Sequence, residues 1–213
     1  MKKSVFIICL FLANVLYSQN NQSITLNKPS SDRGMSVIKA LAERYSAREF
    51  DSKPLTLQDM SDLLWAANGV NRQESGKRTA PSAINAQDID VYLFDNNGVY
   101  LYNAQKHTLE LVVSGDNRKV ISNQDKDPYP SAILLLVSDH SRFRRGEESV
   151  KAEWGAMDAS FVAQNVLLFC TSVGMEARPR AIMNKDKIIE TIKLNSAQRP
   201  MLNIPVSYKK DKE

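Results

Sequence analysis

The chain has 213 residues, of which 43% are hydrophobic, so it can form one domain with a sizeable core, with or without a leader. Its formal net charge of +4 is too small to indicate a nucleic-acid partner. The two histidines, His107 and His140, show no metal-ligand spacing, so we expect neither a metal site nor a histidine-based catalytic triad.

Residues 1–18 have the order of a secretory signal peptide. Lys2 and Lys3 form a basic start, Val5 to Val15 is almost wholly apolar, and the segment ends on a small residue. The apolar stretch is too short to span a bilayer comfortably. We therefore expect cleavage near Ser18–Gln19 and export to the periplasm, with an uncleaved anchor as the alternative.

Residues 19–33 are polar and irregular in pattern, which predicts a linker. The domain would then cover residues 34–213. Cleavage removes Lys2 and Lys3 and no acidic residue, so the net charge falls from +4 to +2. The mature chain keeps Cys170 as its one cysteine and can form no internal disulfide. After signal removal we expect no membrane partner.

Two helices are predicted next. The first covers Ser36 to Arg44, with its apolar residues on one side. Thr56 caps the second, with Asp59 three residues later as a shortened capping box. Asn68-Gly69 ends the second helix.

The middle of the chain is predicted to be rich in strands. Asp95 to Gly98 is a hairpin turn, and the continuous apolar segment Ser131–Ser138 is typical of a strand buried on both faces. Strands are expected over Asp88–Phe94, Val99–Tyr102, Leu109–Val113, Ser131–Ser138 and Leu202–Tyr208, with an edge segment at Met175–Arg180 and a short helix at Asp186–Lys193. We expect Arg142, Arg144 and Arg145 to form a solvated cluster.

The segment from Trp154 to Gly174 is predicted to be the central helix, apolar on nearly all sides, with Gly174 as a left-handed cap. Its polar residues would be costly in lipid, which argues against a membrane span. Asp158 and Asn165 lie on nearly the same face. The helix is either a core helix with satisfied polar groups, or the centre of a dimer with these residues near a cofactor. We interpret Cys170 as a core residue.

Helices alternating with hairpin-forming strands predict an α+β sandwich, in which helices pack on a mainly antiparallel sheet.

Arg44, Ser46 and Arg48 occupy alternate positions directly after the first helix. In an extended backbone, alternate side chains point the same way. Two guanidinium groups and a hydroxyl would then suit a phosphate or another oxyanion. The alternative is a pair of surface arginines that form ion pairs with Glu43 and Glu49.

Residues 79–87, TAPSAINAQ, form a second polar group. Pro81 and its small neighbours favour a tight turn, while Ser82, Asn85 and Gln87 supply donors and acceptors. This loop could recognise the polar edge of a ring or a sugar chain. A plain capped loop is the alternative.

Several ordered motifs resemble the FMN-dependent nitroreductase family, and most closely its branch of thiazole- and oxazole-forming dehydrogenases. The resemblance covers Arg44 to Tyr208. It is carried by RYSAREF, LLWAANGVNR, KRTAPSAINAQDIDVYLF and MDASFVAQNVLLFCTSVGM.

The resemblance implies a nitroreductase-like homodimer with a long central interface helix and two FMN sites between the subunits. It assigns four groups of residues to FMN: Arg44, Tyr45, Ser46 and Arg48 to the phosphate and ribityl chain; Pro81, Ser82, Asn85 and Gln87 to the flavin of the other subunit; Arg180 and Ala181 to the ring; and Lys210 to the phosphate. The chain departs from the family pattern in two places. Ala181-Ile182 stand where a glycine is common, and only Lys209 and Lys210 follow the last strand as phosphate-binding candidates.

The resemblance also implies a ping-pong oxidoreductase cycle in which NAD(P)H and a small organic substrate react in turn, with no side chain acting as nucleophile. NAD(P)H is scarce outside the cytoplasm, so an exported enzyme would need another donor. The alternative functions are an exported flavin- or ligand-binding protein without turnover and a structural domain without flavin.

Overall fold

The computed structural model describes residues 23–122 and 129–210. The predicted signal peptide and the first residues of the predicted linker lie outside the described residues. Within the described part, no helix is long and apolar enough to cross a membrane.

The domain consists of helices on the two faces of one antiparallel sheet, which confirms the predicted α+β class. The helices are α1 (Val37–Glu43), α2 (Leu57–Asn68), α3 (Glu148–Ser172) and α4 (Lys185–Ile192). The strands are β1 (Ser23–Thr25), β2 (Val70–Arg72), β3 (Lys77–Arg78), β4 (Ile89–Phe94), β5 (Gly98–Asn103), β6 (Thr108–Ser114), β7 (Ala132–Asp139), β8 (Met175–Ala177) and β9 (Gln198–Tyr208). Seven strands form the sheet in the order β1-β6-β5-β4-β7-β9-β8, and β2-β3 form a separate hairpin.

Strand β7 lies in the middle of the sheet, between β4 and β9. Leu134 and Leu136 belong to the core under α2 and α3, whereas Ile133 and Leu135 belong to the core that includes residues of α4. All four side chains are fully buried. The prediction of a strand buried on both faces is confirmed.

Helix α3 begins before the predicted Trp154, and Gly174 follows it with the predicted left-handed backbone (φ +76°). Cys170 is buried, as expected of a core residue. Met157 and Phe161 are exposed, however, so in the single chain the helix is not covered on nearly all sides. An apolar part of α3 faces solvent.

The cap of α2 differs slightly from the predicted box. The Thr56 hydroxyl accepts a hydrogen bond from the Asp59 N–H (3.1 Å) and donates one to the Asp59 carboxylate (2.6 Å). The Thr56 N–H donates to the Tyr208 hydroxyl (3.0 Å) rather than to Asp59. The cap therefore ties the start of α2 to the end of β9.

The described part of the predicted linker is ordered on the domain. Strand β1 pairs with β6, and Leu26 is buried. Arg33 forms ion pairs with Asp59 (2.7 Å) and Asp62 (2.8 Å). Strand β1 could not be predicted, because three residues are too few to show an alternating hydrophobic pattern in a polar segment. They form a strand because the edge of β6 offers unpaired backbone groups.

The expectation that Arg142 is a solvated arginine is wrong. Its guanidinium pairs with Asp90 (2.6 Å) and Asp139 (3.4 Å). Arg144 and Arg145 are exposed, as predicted. Arg142 differs because a carboxyl group on strand β4 lies within its reach, which spacing along the chain could not reveal.

Candidate functional site

The segment after α1 forms one wall of a surface cavity. Ala47 is buried, and its N–H donates to the Ala177 carbonyl of β8 (3.1 Å). Its neighbours Ser46 and Arg48 are exposed and line a cavity of about 380 Å³. Lys209 and Lys210, which follow β9, line the same cavity. The structure thus brings together hydroxyl, guanidinium and ammonium groups from distant parts of the sequence.

Arg44 is not part of this wall. It caps the end of α1 through its backbone N–H, which donates to the Ala40 carbonyl, and it is absent from the cavity lining. Within residues 23–122 and 129–210, neither Arg44 nor Arg48 pairs with a carboxylate, and Glu43 pairs with Lys39 (3.8 Å). The alternative of paired surface arginines is therefore not observed, and Arg48 is the better placed of the two.

Tyr45 is fixed against the same wall by Glu176 of β8. The Tyr45 hydroxyl donates to the Glu176 carboxylate, and mainly for this reason the pKa of Tyr45 rises to about 12. Glu49 and Glu176 also line the cavity, so its cations are partly offset. No local pattern pointed to Glu176, because its contact with Tyr45 joins two segments 131 positions apart.

The loop of residues 79–87 is folded into an unusual turn. The Ser82 hydroxyl accepts from the Gln87 N–H (2.9 Å) and closes the loop on itself. Ile84, Asn85 and Gln87 all have left-handed backbone, with φ of 48°, 56° and 50°. Such a conformation is a genuine outlier for a β-branched residue like Ile84. Pro81 and Asn85 are exposed at the surface of this turn.

Gln87 is used inside the fold rather than presented at the surface. Its side-chain oxygen accepts from Arg78 Nε (3.0 Å), and its amide donates to the Gly76 carbonyl (3.1 Å). Arg142 binds its backbone carbonyl (2.9 Å). Its side chain thus joins the loop to the β2-β3 hairpin.

The polar residues of α3 have different surroundings. Asp158 is buried, and both of its carboxyl oxygens accept from the Ala83 N–H of the loop (3.0 and 2.9 Å). Asn165 donates to the Ala67 carbonyl (3.4 Å). Asp158 is therefore a satisfied core group that also contacts a predicted cofactor-binding loop.

The predicted flavin-ring segment is held by Asn203 of β9. The Arg180 N–H donates to the Asn203 carbonyl (2.8 Å), and the Asn203 N–H donates to the Arg180 carbonyl (2.9 Å). The Arg180 N–H is therefore already used. Ala181 and Ile182 are exposed, and their N–H groups donate to no described residue.

Apolar side chains remain open on one side of the molecule. Val37, Ile38 and Leu41 of α1 are exposed, as are Met157 and Phe161 of α3. An adjoining groove of about 290 Å³ runs between α1, α2 and α3, and its lining includes Val37, Trp65, Leu168 and Phe169. Exposed apolar residues beside an apolar groove are typical of interaction sites.

Comparison with known proteins agrees with this architecture. Residues 41–208 match the sequence profile described as the nitroreductase family. A crystal structure of a provisionally assigned nitroreductase from Ralstonia eutropha JMP134 superposes with a TM-score of 0.84 at 35% identity. The match covers 89% of this chain and 90% of that one.

Two further structures share the fold at lower identity. The Escherichia coli microcin synthetase McbBCD complex has a TM-score of 0.70 at 18% identity, over 97% of this chain and 85% of that chain. A provisionally assigned NAD(P)H:FMN oxidoreductase from Staphylococcus epidermidis ATCC 12228 has a TM-score of 0.55 at 16% identity, over 87% and 92%. The fold therefore recurs both in a microcin synthetase and in a provisionally assigned oxidoreductase.

Proposed function

The chain belongs to the nitroreductase family, and from that premise we propose that it is an FMN-dependent oxidoreductase that acts as a homodimer. The observation that carries the proposal is the cavity lined by Ser46, Arg48 and Lys210. A guanidinium without a carboxylate partner among the described residues, beside a hydroxyl and an ammonium group, suits a phosphate. When bound, FMN supplies the hydride chemistry.

The residues on the cavity wall fit such a group. Arg48 and Lys210 would hold the phosphate, Ser46 would donate a hydrogen bond to it, and Tyr45 would face the ribityl chain. Glu176 limits the excess of positive charge and keeps the Tyr45 ring in place. The site therefore favours a ligand with one anionic end rather than a polyanion.

The flavin ring would lie along Ala181 and Ile182. Their backbone N–H groups make no hydrogen bond to a described residue, and both residues are exposed, so they can donate to a ring nitrogen or oxygen. The Arg180 N–H cannot do so without breaking its bond to Asn203. We place the ring contact one or two residues beyond Arg180.

The second subunit would complete the site. The exposed apolar faces of α1 and α3 form a surface that a second copy of the chain can cover. Pro81, Ser82 and Asn85 would then reach the flavin of the partner subunit, as the family resemblance implies. Asn85 is exposed, so its amide is available for that contact.

We propose that an electron donor and a small organic acceptor use the same open side of the site in turn. NAD(P)H is the candidate donor. Residues 1–18 support export to the periplasm, where a different donor would be needed. Mass spectrometry of the protein from its native envelope tests export, since a mature form that keeps Met1 would contradict cleavage.

The decisive experiment for the function is a flavin titration of purified protein followed by anaerobic addition of NADH or NADPH. We expect FMN to bind, and its visible absorbance to bleach with a donor and return with an acceptor such as a quinone. Failure to bind FMN would contradict the proposal. The non-catalytic flavin-binding alternative would be supported if FMN bound tightly but no donor reduced it, and if protein reduced with dithionite passed no electrons to an acceptor.

A further inference from the structure

Two buried carboxyl groups meet beneath the loop of residues 79–87. Asp88 follows the loop directly and is 0% exposed, and Asp158 of α3 is 2% exposed. Gly155, nearly one helical turn before Asp158, allows this approach. A Cβ atom there would overlap the Ser138 hydroxyl and lie 3.6 Å from Asp88 Oδ2.

The hydrogen bonds around these carboxyl groups leave one donor missing. Ser138 donates to Asp88 Oδ2 (2.5 Å), and the Ala83 N–H donates to Asp158. Asp88 Oδ1 is buried and receives no donor from a described N–H or hydroxyl. The Asp88 carboxyl group lies beside Gly155, one turn before Asp158 on α3, so two buried acidic groups lie close together. Two carboxylates are both acceptors, so a hydrogen bond between them would require a proton.

Among the described residues, no cation forms an ion pair with Asp88 or Asp158. Arg142 is attracted electrostatically to Asp88, but its guanidinium group forms its ion pairs with Asp90 (2.6 Å) and Asp139 (3.4 Å). The hydrogen-bond donors to the pair, the Ser138 hydroxyl and the Ala83 N–H, are neutral. Two like charges buried this closely disfavour double ionisation.

We propose that Asp88 and Asp158 share one proton, and that the protonated pair positions the loop of residues 79–87 for its flavin contact. Asp158 then acts as a positioning residue, because its carboxyl group holds the Ala83 N–H of the loop. Asp88 directly follows the loop. Loss of the proton leaves two adjacent carboxylates, which repel each other and loosen the loop. The flavin part of this proposal rests on the proposed function, whereas the hold on the loop does not.

The direction of the pH effect follows from the burial of Asp158. Burial, and then the hydrogen bond with Asp88, raise the pKa of Asp158 from 3.8 to about 7. The folded state thus keeps a proton that the unfolded chain releases above its ordinary pKa. The stabilisation is complete below the unfolded pKa and is lost as the pH rises through about 7.

The first test compares thermal unfolding of the wild type, Asp88→Asn and Asp158→Asn between about pH 5 and pH 8. The wild-type unfolding temperature should fall over this range. Asp158→Asn should flatten the profile, and Asp88→Asn should make it less steep, because burial still raises the pKa of Asp158 but the neighbouring carboxyl group no longer does. Asp186→Asn, which removes an exposed carboxyl group on α4, should keep the wild-type profile. An unchanged profile in Asp88→Asn would overturn the proposal.

A second measurement needs no variant and so does not depend on how the variants fold. Carbon-detected NMR of the side-chain carboxyl groups should show the Asp158 carboxyl group titrating near neutral pH. Ordinary titration of Asp158 near pH 4 would overturn the shared proton.

The hold on the loop is tested by amide hydrogen exchange at Ala83, without flavin. After correction for the intrinsic pH dependence of exchange, protection should fall through about pH 7 in the wild type and fall less in Asp88→Asn, because no second carboxylate then repels Asp158. Asp158→Ala should abolish protection, and Asp158→Asn, which keeps an acceptor oxygen, should restore it. Full protection in Asp158→Ala would show that Asp158 does not hold the loop.

The flavin part is tested by the ratio of FMN dissociation constants of the wild type and Asp88→Asn, in which ionisation of the FMN phosphate cancels. Between about pH 7 and pH 8 the wild type should weaken by up to about tenfold relative to the variant. A constant ratio alongside pH-dependent exchange would mean that the loop does not contact flavin. Absence of FMN binding at every pH would overturn the proposed function, while the exchange experiment still decides the shared proton.

Discussion

Arg48 owes its position to the backbone of its neighbour rather than to a side-chain partner. Ala47 is held against β8, so the alternation of an extended chain sends Ser46 and Arg48 into the cavity. Arg44 lies at the end of α1, where its N–H still donates to the Ala40 carbonyl, and it does not line the cavity. The two arginines should therefore contribute unequally to phosphate binding.

Arg48→Ala should weaken FMN binding more than riboflavin binding. The variant loses a charge-assisted contact worth roughly 1.5–3 kcal/mol, or about ten- to a hundredfold in affinity. Riboflavin has no phosphate and should lose much less. Titration of the apoprotein with both flavins measures the difference.

Arg145→Ala is the matched control, since Arg145 is exposed and outside the cavity. Arg142→Ala is unsuitable, because it would break the ion pair with Asp90. Arg44→Ala should cost less FMN affinity than Arg48→Ala. Equal loss for both flavins in Arg48→Ala would mean that Arg48 supports the fold rather than the phosphate.

Ile84 offers a second test at the level of one residue. Left-handed backbone costs a residue with a side chain roughly 1–2 kcal/mol, and glycine avoids most of this while losing up to about 1 kcal/mol in chain entropy. Ile84→Gly should therefore raise the free energy of unfolding by up to about 1 kcal/mol, measured by urea denaturation. Ile84→Ala keeps the backbone strain and should give no gain. A large loss in Ile84→Gly would show that its side chain, not its backbone, matters.

Candidate site residues could be predicted only where a local sequence pattern pointed to them. Alternate spacing pointed to Ser46 and Arg48, which line the cavity, and the small residues around Pro81 predicted the turn. Glu176 and Asp88 could not be found, because each acquires its role from a partner distant in the chain. Gln87 was predicted to contact FMN, but its side chain forms hydrogen bonds with Arg78 and Gly76. The sequence could not reveal these bonds, because they depend on how the β2-β3 hairpin packs against the loop.

Among the elements, α3 is positioned by its lack of a side chain at Gly155. A methyl group at this position would overlap the side chain of Ser138, so either the helix or β7 must shift to accommodate it. Helix α3 carries Asp158, and the spacing between α3 and β7 therefore also sets the position of the loop of residues 79–87.

Gly155→Ala should destabilise the protein although alanine is the better helix former. Overpacking costs about 1–3 kcal/mol, against a gain of up to about 1 kcal/mol in helix propensity. We expect a net loss of roughly 1–2 kcal/mol in the free energy of unfolding. Ser160→Ala, at an exposed position of the same helix, should change it by less than about 0.5 kcal/mol. A stabilised Gly155→Ala would show that α3 is not held close to β7.

Element types could be predicted best where a pattern was long or chemically specific. The apolar segment of β7, the Thr56 cap and the left-handed Gly174 are examples. The start of α3 was missed because the polar residues from Glu148 onward lack the apolar period. Strand β1 was missed because its pairing with β6, and not its own three residues, makes it a strand.

At the scale of the whole molecule, one apolar side is left uncovered by the single chain. Ile38 is 77% exposed and Phe161 is 49% exposed, on helices that pack against each other. The proposed homodimer would cover this side and place the loop of residues 79–87 beside the flavin of the partner. Dimerisation and flavin binding should therefore be lost together.

Phe161→Asp and Ile38→Asp should each weaken the proposed dimer and favour the monomer. An unpaired carboxylate at a buried interface costs well over about 1.4 kcal/mol, so the association constant should fall by more than about tenfold. Sedimentation at micromolar concentration measures this, and flavin content should fall in parallel.

Ile189→Asp is the matched control, because Ile189 is also an exposed isoleucine (37%) but lies on α4, which packs on the other face of the sheet. It should leave both the sedimentation and the flavin content unchanged. A monomeric Phe161→Asp protein that still binds FMN tightly would contradict a site shared between subunits.

The fold class could be predicted from the mixture of helices and hairpins, but the strand order could not. Strands β4, β5 and β6 follow one another through hairpins, which turn signals such as Asp95 to Gly98 reveal. The place of β7 between β4 and β9 depends on pairings across long stretches of chain. No local pattern encodes these.

The central position of β7 also affects how the protein folds during its synthesis. One of its two neighbours, β9, is separated from it by α3, β8 and α4, so during synthesis the apolar segment AILLLV emerges from the ribosome well before that neighbour exists. Until then one of its edges is an open template for self-association, which makes it a natural binding site for a chaperone. The sheet can therefore close only after β9 has been synthesised, and this long-range pairing is expected to make folding slow.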